Sequence, residues 1–248
     1  MRWMIWLLPA WLVLVGGCAV PPLPSTPVDP TLERDPVSGA VFWLYVPSTY
    51  RPERPSPLIV TCHGASPDGA EHHILEWKWH AQQQNCIVVA PELDASGGTM
   101  RSGGVSGMIA NERRIMSILS HLGYHYNIDR ANVMMTGFSG GGFPAYWVGL
   151  RRPDLFTCLV VRNGNFSENS LENWWPPAAG KTPILIYYGE RDTAVIKTQS
   201  RSAIEYLRAR GFVVEEKVIV TSGHERRPDI AMEFFRRHWR QPQPSVTK

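Results

Sequence analysis

Short, largely apolar runs, most of them followed by a stretch with helical spacing, constrain this chain more than any other feature. Pro57-Leu-Ile-Val-Thr-Cys62 and Cys86-Ile-Val-Val-Ala90 show no alternation of polar and apolar residues. A strand of that kind is buried on both faces, as in a parallel sheet covered by helices. The same reading gives strands at 41–46, 132–136, 157–161, 183–188 and 212–220. Between them, helices are expected at 71–84, 109–122, 139–150, 195–210 and 229–239. Strands alternating with helices give an α/β fold: a doubly wound, mostly parallel sheet with helices on both faces. In that architecture sites form beyond the carboxyl ends of the strands.

Composition narrows the function classes. With 44% hydrophobic residues in 248, the chain has ample core and is not disordered. Its formal charge of +3 is small and scattered, which excludes nucleic acid as the expected partner. After the first residues no apolar run approaches the length of a membrane span.

The N-terminus reads as an address. Arg2 precedes an apolar run, Trp3 to Val15, broken by Pro9 and ending in Gly16-Gly17-Cys18. The run is too short for a spanning helix and fits a signal peptide over residues 1–17. Small residues before a cysteine resemble the lipobox of bacterial lipoproteins, which would make Cys18 the lipidated residue. The expectation is an exported protein held at a membrane by acyl chains, without a spanning helix. Residues 18–36, with six prolines, read as an extended tether. The folded domain then spans 37–241, and 242–248 is a tail. Cys62, Cys86 and Cys158 remain; three is an odd number, and buried free thiols are expected.

Chemistry concentrates at strand ends. Gly137-Phe-Ser139-Gly-Gly is a G-x-S-x-G string between the strand Val133-Met-Met-Thr136 and a helix. The string alone is weak, but strand, turn and helix are the setting of a nucleophile elbow. There Ser139 is the candidate nucleophile, and the Gly140 N–H at the helix start is a candidate oxyanion donor. A serine hydroxyl needs a base, and the elbow predicts the chain order serine, acid, histidine. Asp192, in Gly189-Glu-Arg-Asp192, is the candidate acid, with Glu190 its rival. His224, after the strand at 212–220, is the candidate base. His63-Gly64-Ala65 closes an earlier strand; the Ala65 N–H is the second candidate oxyanion donor, and His63 is expected to shape that loop. His73, Glu76 and His80 share a helix face without forming a metal-site motif, so no metal is assigned to them. The glycine-rich segment 97–107, with Arg101, lacks the ending of a phosphate loop.

The ordered set His63-Gly64, Gly137-Phe-Ser139-Gly-Gly, Asp192 and His224 resembles the α/β-hydrolase superfamily across about residues 40–240. Gly-Phe-Ser-Gly-Gly-Gly-Phe-Pro-Ala, followed by Arg152-Pro-Asp-Leu-Phe156, is similar to the polyhydroxybutyrate depolymerase and feruloyl-esterase-like branch. That resemblance implies a serine esterase acting through an acyl-enzyme without a cofactor. Its substrate would be a small-molecule or polysaccharide-linked ester. One departure stands out: the branch often follows its histidine with Trp-Pro, and here Glu225-Arg-Arg-Pro228 follows His224. Trp174 and Trp175, in a segment where such folds insert a cap, either line the substrate pocket or pack the cap onto the domain. Nothing in the sequence separates ester from amide cleavage, so a serine peptidase is the second reading. A ligand-binding lipoprotein without catalysis is the third.

Overall fold

The computed structural model describes residues 28–65, 69–94, 104–171 and 175–240. Within them the apolar runs form an eight-stranded sheet: β1 (Thr31–Arg34), β2 (Val41–Tyr45), β3 (Ser56–Cys62), β4 (Ile87–Pro91), β5 (Ile128–Phe138), β6 (Cys158–Arg162), β7 (Ile184–Gly189) and β8 (Val214–Ile219). The strand order is β1-β2-β4-β3-β5-β6-β7-β8. β1 and β2 pair antiparallel, as do β2 and β4, and every other pair is parallel. Every residue of β3, β4, β6 and β7 is buried, which is why those runs carry no alternation.

Among the described residues six helices cover the sheet: α1 (Gly69–Leu75), α2 (Lys78–Gln84), α3 (Val105–His125), α4 (Gly142–Arg151), α5 (Ala194–Arg208) and α6 (Pro228–Arg237). Helices α3, α4 and α5 share one core with Leu58, Val60 and Val133 of the sheet. Helices α1, α2 and α6 share the other with Ile59, Val88 and Met134. Neighbouring strand residues thus serve opposite cores, as the two-residue period of a strand requires.

Three expectations change. The sheet begins inside the proline-rich segment, because Thr31-Leu-Glu-Arg34 pairs with β2 and 18–36 is not tether throughout. Those four residues contain no proline and keep their amide donors, and as an edge strand they need only one neighbour. The single helix expected at 71–84 is two helices, broken at Glu76-Trp77. Nothing in the local sequence breaks it; both side chains turn inward, Trp77 donating its indole N–H to Thr61 and Glu76 pairing with Arg162. Finally, β5 starts at Ile128, four residues earlier than expected, because its leading end is polar and only half-buried. Cys62, Cys86 and Cys158 are free and buried, and burial pushes the Cys62 thiol up to about 12. No helix among the described residues is long and apolar enough to cross a membrane.

The order β4-β3-β5 sets the position of the site. From β3 the chain runs outward to β4 on one side, then crosses back to β5 on the other. A crevice opens at such a reversal, beyond the carboxyl ends of the two central strands. His63 and Ser139 are the residues immediately following β3 and β5.

Candidate active site

Ser139, left-handed at φ +53°, is the first residue of a single 3₁₀ turn (Ser139–Gly141) that joins the end of β5 to α4. A non-glycine residue there is strained, and its neighbours hold it in place. Its backbone N–H donates to the Asn163 carbonyl at 3.1 Å, and its carbonyl accepts from Asn165 N–H at 2.8 Å. The glycine spacing has a steric cause: a Cβ on Gly137 would lie 2.1 Å from the Gly141 carbonyl oxygen. The turn therefore closes only without a side chain at 137.

His224 and Asp192 come from neighbouring strand ends. The Asp192 side chain is fully buried, and its Oδ2 accepts from His224 Nδ1 at 2.7 Å. Its Oδ1 accepts the Thr193 N–H at 2.6 Å. That arrangement leaves His224 Nε2 as the acceptor of the neutral ring. Glu190 is turned away, exposed and paired at 4.0 Å with Arg201. Gly189 lets the histidine loop lie directly on the end of β7, since a Cβ there would be 2.3 Å from the Ser222 and Gly223 carbonyl oxygens.

Ser139 and His224 line one cavity of about 700 Å³ with Gly64, Ala65, Phe138 and the Glu225–Arg226 pair. Gly64 is packed against Ser139. His63 is committed to its loop: Nδ1 donates to the Gly64 carbonyl at 2.8 Å and Nε2 accepts the Leu93 N–H at 2.9 Å. Burial holds it below the ordinary histidine value, which keeps it neutral.

Two polar residues that the sequence did not single out hold this arrangement. Asn163, fully buried and left-handed at φ +44°, follows β6. Its Oδ1 accepts the Gly189 N–H at 2.8 Å and its Nδ2 donates to the Glu225 carbonyl at 2.5 Å. One amide thus joins the loops of Asp192 and His224, while its backbone carbonyl holds Ser139. Arg162, also fully buried, bonds Glu76 at 2.5 Å, the Arg226 carbonyl at 3.2 Å and Thr61 at 3.2 Å. The available signal was a polar Arg-Asn pair closing an otherwise apolar strand.

Other candidates fall elsewhere. Trp175 packs edge-on against Phe212 at 5.4 Å and Tyr206 at 6.2 Å and does not line the cavity, which is the packing role left open above. Trp174, Arg101 and Cys18 lie outside the described residues. Among those residues no cluster of His, Cys, Asp and Glu could hold a metal, and Glu76 is taken by Arg162 and Arg226.

His73 lines the cavity yet is almost fully buried, with no partner for Nδ1. Burial first, then Arg162 and Arg226, push it from 6.5 down to about 2. Below pH 6.5 the unfolded chain therefore binds a proton that the folded chain refuses. His73's contribution is full above that pH and is lost, by at most about 1.4 kcal/mol per unit, as the pH drops toward 2. Urea denaturation between pH 7 and 4.5 will show stability falling with pH, and His73→Gln will make that slope shallower, with the buried His63 and the half-buried His80 contributing the same sign.

No family model matches the chain. Dipeptidyl-peptidase 5 of Porphyromonas endodontalis is 22% identical over 225 residues, 74% of this chain, and the match spans 32% of the relative's length. Among solved structures, a thermostable esterase superposes with a TM-score of 0.65 at 22% identity, covering 85% of this chain and 63% of that one. A CE1 ferulic acid esterase from Anaeromyces mucronatus superposes with a TM-score of 0.62 at 18% identity, covering 85% and 90%. Strand order, helices on both faces and these superpositions agree: the chain has an α/β-hydrolase fold.

Proposed function

We propose that the chain is a serine hydrolase that cleaves carboxylic esters through an acyl-enzyme. The observation that carries this reading is the bond between Asp192 and His224, 2.7 Å long, beside a cavity that also holds Ser139 on its strained turn. Asp192 fixes the tautomer with the proton on Nδ1, so Nε2 is free to accept the proton of Ser139. The Ser139 oxygen adds to the ester carbonyl, and the oxyanion takes hydrogen bonds from the Gly140 and Ala65 N–H groups. The tetrahedral adduct collapses as His224 returns the proton to the departing alcohol. Water, deprotonated by the same imidazole, then releases the acid and restores Ser139.

The peptidase reading has its own support in the dipeptidyl-peptidase relative, although this chain spans only a third of that protein. Ester and dipeptidyl-arylamide panels run on one preparation separate the two. The proposal expects kcat/KM for 4-nitrophenyl acetate to exceed that for every arylamide; the reverse order would give the peptidase reading precedence.

Asn163 provides a second check. Asn163→Gly keeps a residue suited to positive φ and removes both side-chain bonds. Because the loops of base and acid lose their common tie, kcat falls by about 10- to 100-fold while KM changes by less than about threefold. Steady-state kinetics on the folded variant measure both.

For location, the proposal is an extracytoplasmic protein anchored through acylated Cys18. Mass spectrometry of the N-terminal peptide from a bacterial membrane fraction tests it: a diacylglyceryl adduct is expected, and an unmodified peptide would refute it.

A further inference from the structure

Two guanidinium groups, Arg226 in the wall and Arg162 behind it, and two carboxylates, Glu76 and Glu225, stand at the cavity that holds Ser139. The ring of Phe138, next to the serine, is the centre of the arrangement. His224 lies 4.6 Å from it, His73 5.7 Å, and the guanidinium carbons of Arg226 and Arg162 5.5 and 6.0 Å. One aromatic side chain thus has the imidazole of the candidate base and two guanidinium groups around it.

The two arginines are not equivalent. Arg162 is fully buried and spends its terminal nitrogens on Glu76, Thr61 and the Arg226 carbonyl. Arg226 is one-third exposed and lines the cavity with Ser139. Its one ion-pair partner among the described residues is the same Glu76, with Nε 3.6 Å from Oε2, too long for a hydrogen bond. Neither of those two atoms has a hydrogen-bond partner. Two guanidinium groups therefore share a single carboxylate, and the better hydrogen bonds belong to Arg162. The terminal nitrogens of Arg226 are left without a bond to any described residue. Glu225 also lines the wall, but it is exposed, reaches the Gly223 N–H at 3.5 Å, and its charge is screened by water. His73 brings no charge at neutral pH.

We propose that Arg226 is the anion-binding residue of the substrate site, and that the preferred ester carries a carboxylate that docks on its terminal nitrogens while the scissile carbonyl lies at Ser139. The inference rests on the reading of Ser139 as the nucleophile and adds the chemical class of the substrate. A planar guanidinium fork matches a carboxylate in two-point geometry, which a lysine does not reproduce. Removing Arg226 also leaves Glu76 paired with Arg162, so loss of this side chain does not orphan a buried charge.

Paired esters test it. Mono-4-nitrophenyl glutarate against 4-nitrophenyl valerate places the charge on the acyl side; 4-acetoxybenzoate against phenyl acetate places it on the alcohol side. In at least one pair the wild type is expected to favour the acidic ester by about tenfold or more in kcat/KM, and Arg226→Gln to lower that ratio by about 10- to 100-fold, with Arg226→Lys between them. Equal rates within both pairs, or a variant that leaves both ratios unchanged, would overturn the inference while ester hydrolysis stands. Calorimetry keeps the question open to test without turnover. Monomethyl glutarate or 4-acetoxybenzoate is expected to bind Ser139→Ala and to lose binding in Ser139→Ala/Arg226→Gln. Equal binding of both probes by the two proteins would overturn the anion site, whereas absent turnover with this difference preserved would count against Ser139 alone.

Discussion

Ser139→Ala will fold normally and lose hydrolysis of 4-nitrophenyl acetate by a factor on the order of 10⁵ in kcat. The substitution removes one oxygen from a half-buried position and leaves the turn intact, because its backbone bonds to Asn163 and Asn165 do not involve the side chain. Thermal stability should therefore change little. What is lost is the atom proposed to form the acyl bond. Any residual rate would come from the oxyanion donors and from binding, which still favour attack by water. Steady-state kinetics and a melting curve on the same preparation check both halves. A variant that keeps more than a tenth of wild-type activity would remove Ser139 from the mechanism.

Asp192→Asn should cost about 10⁴ in kcat while the site keeps its shape. The carboxylate makes two bonds of different kinds. Oδ1 accepts the Thr193 N–H, and Oδ2 accepts the His224 ring N–H. An amide can satisfy the first with its oxygen, but its NH₂ then faces Nδ1 and selects the tautomer with the proton on Nε2. That ring can no longer take a proton from Ser139. Glu190 offers no substitute, because it points to Arg201 on the protein surface. Glu190→Gln is accordingly expected to stay within about threefold of wild type. The pair of variants, assayed together, reads which carboxylate holds the imidazole; equal losses would contradict the assignment to Asp192.

The candidate site was legible where chemistry demands particular spacing. Gly137 and Ser139 stand out because the turn tolerates no side chain at one and must present one at the other. Asp192 and His224 could be chosen among several acids and eight histidines because each follows an expected strand, and those two strands lie side by side. The fold class was legible for the same reason: double-sided burial erases alternation from β3, β4, β6 and β7. Asn163, Arg162 and Glu76 were not, because their roles exist only across the sequence. Arg162 meets a residue 86 positions away, and Asn163 ties loops 26 and 62 positions away. Trp175 shows the opposite limit. An adjacent tryptophan pair suits a binding surface as well as a core, and only its packing on Tyr206 and Phe212 distinguishes the two. Strand β1 was hidden by the prolines on either side of it, although the four residues that pair carry none.

The account turns on Ser139 being an activated nucleophile, and a fluorophosphonate reports that directly. Intact-mass analysis after treatment of the folded protein should show one phosphonyl adduct, and peptide mapping should place it on Ser139. Labelling should slow by about 100-fold or more in His224→Ala, because the hydroxyl then has no base. A folded wild-type protein that stays unlabelled, or one that labels at the same rate without His224, would contradict it.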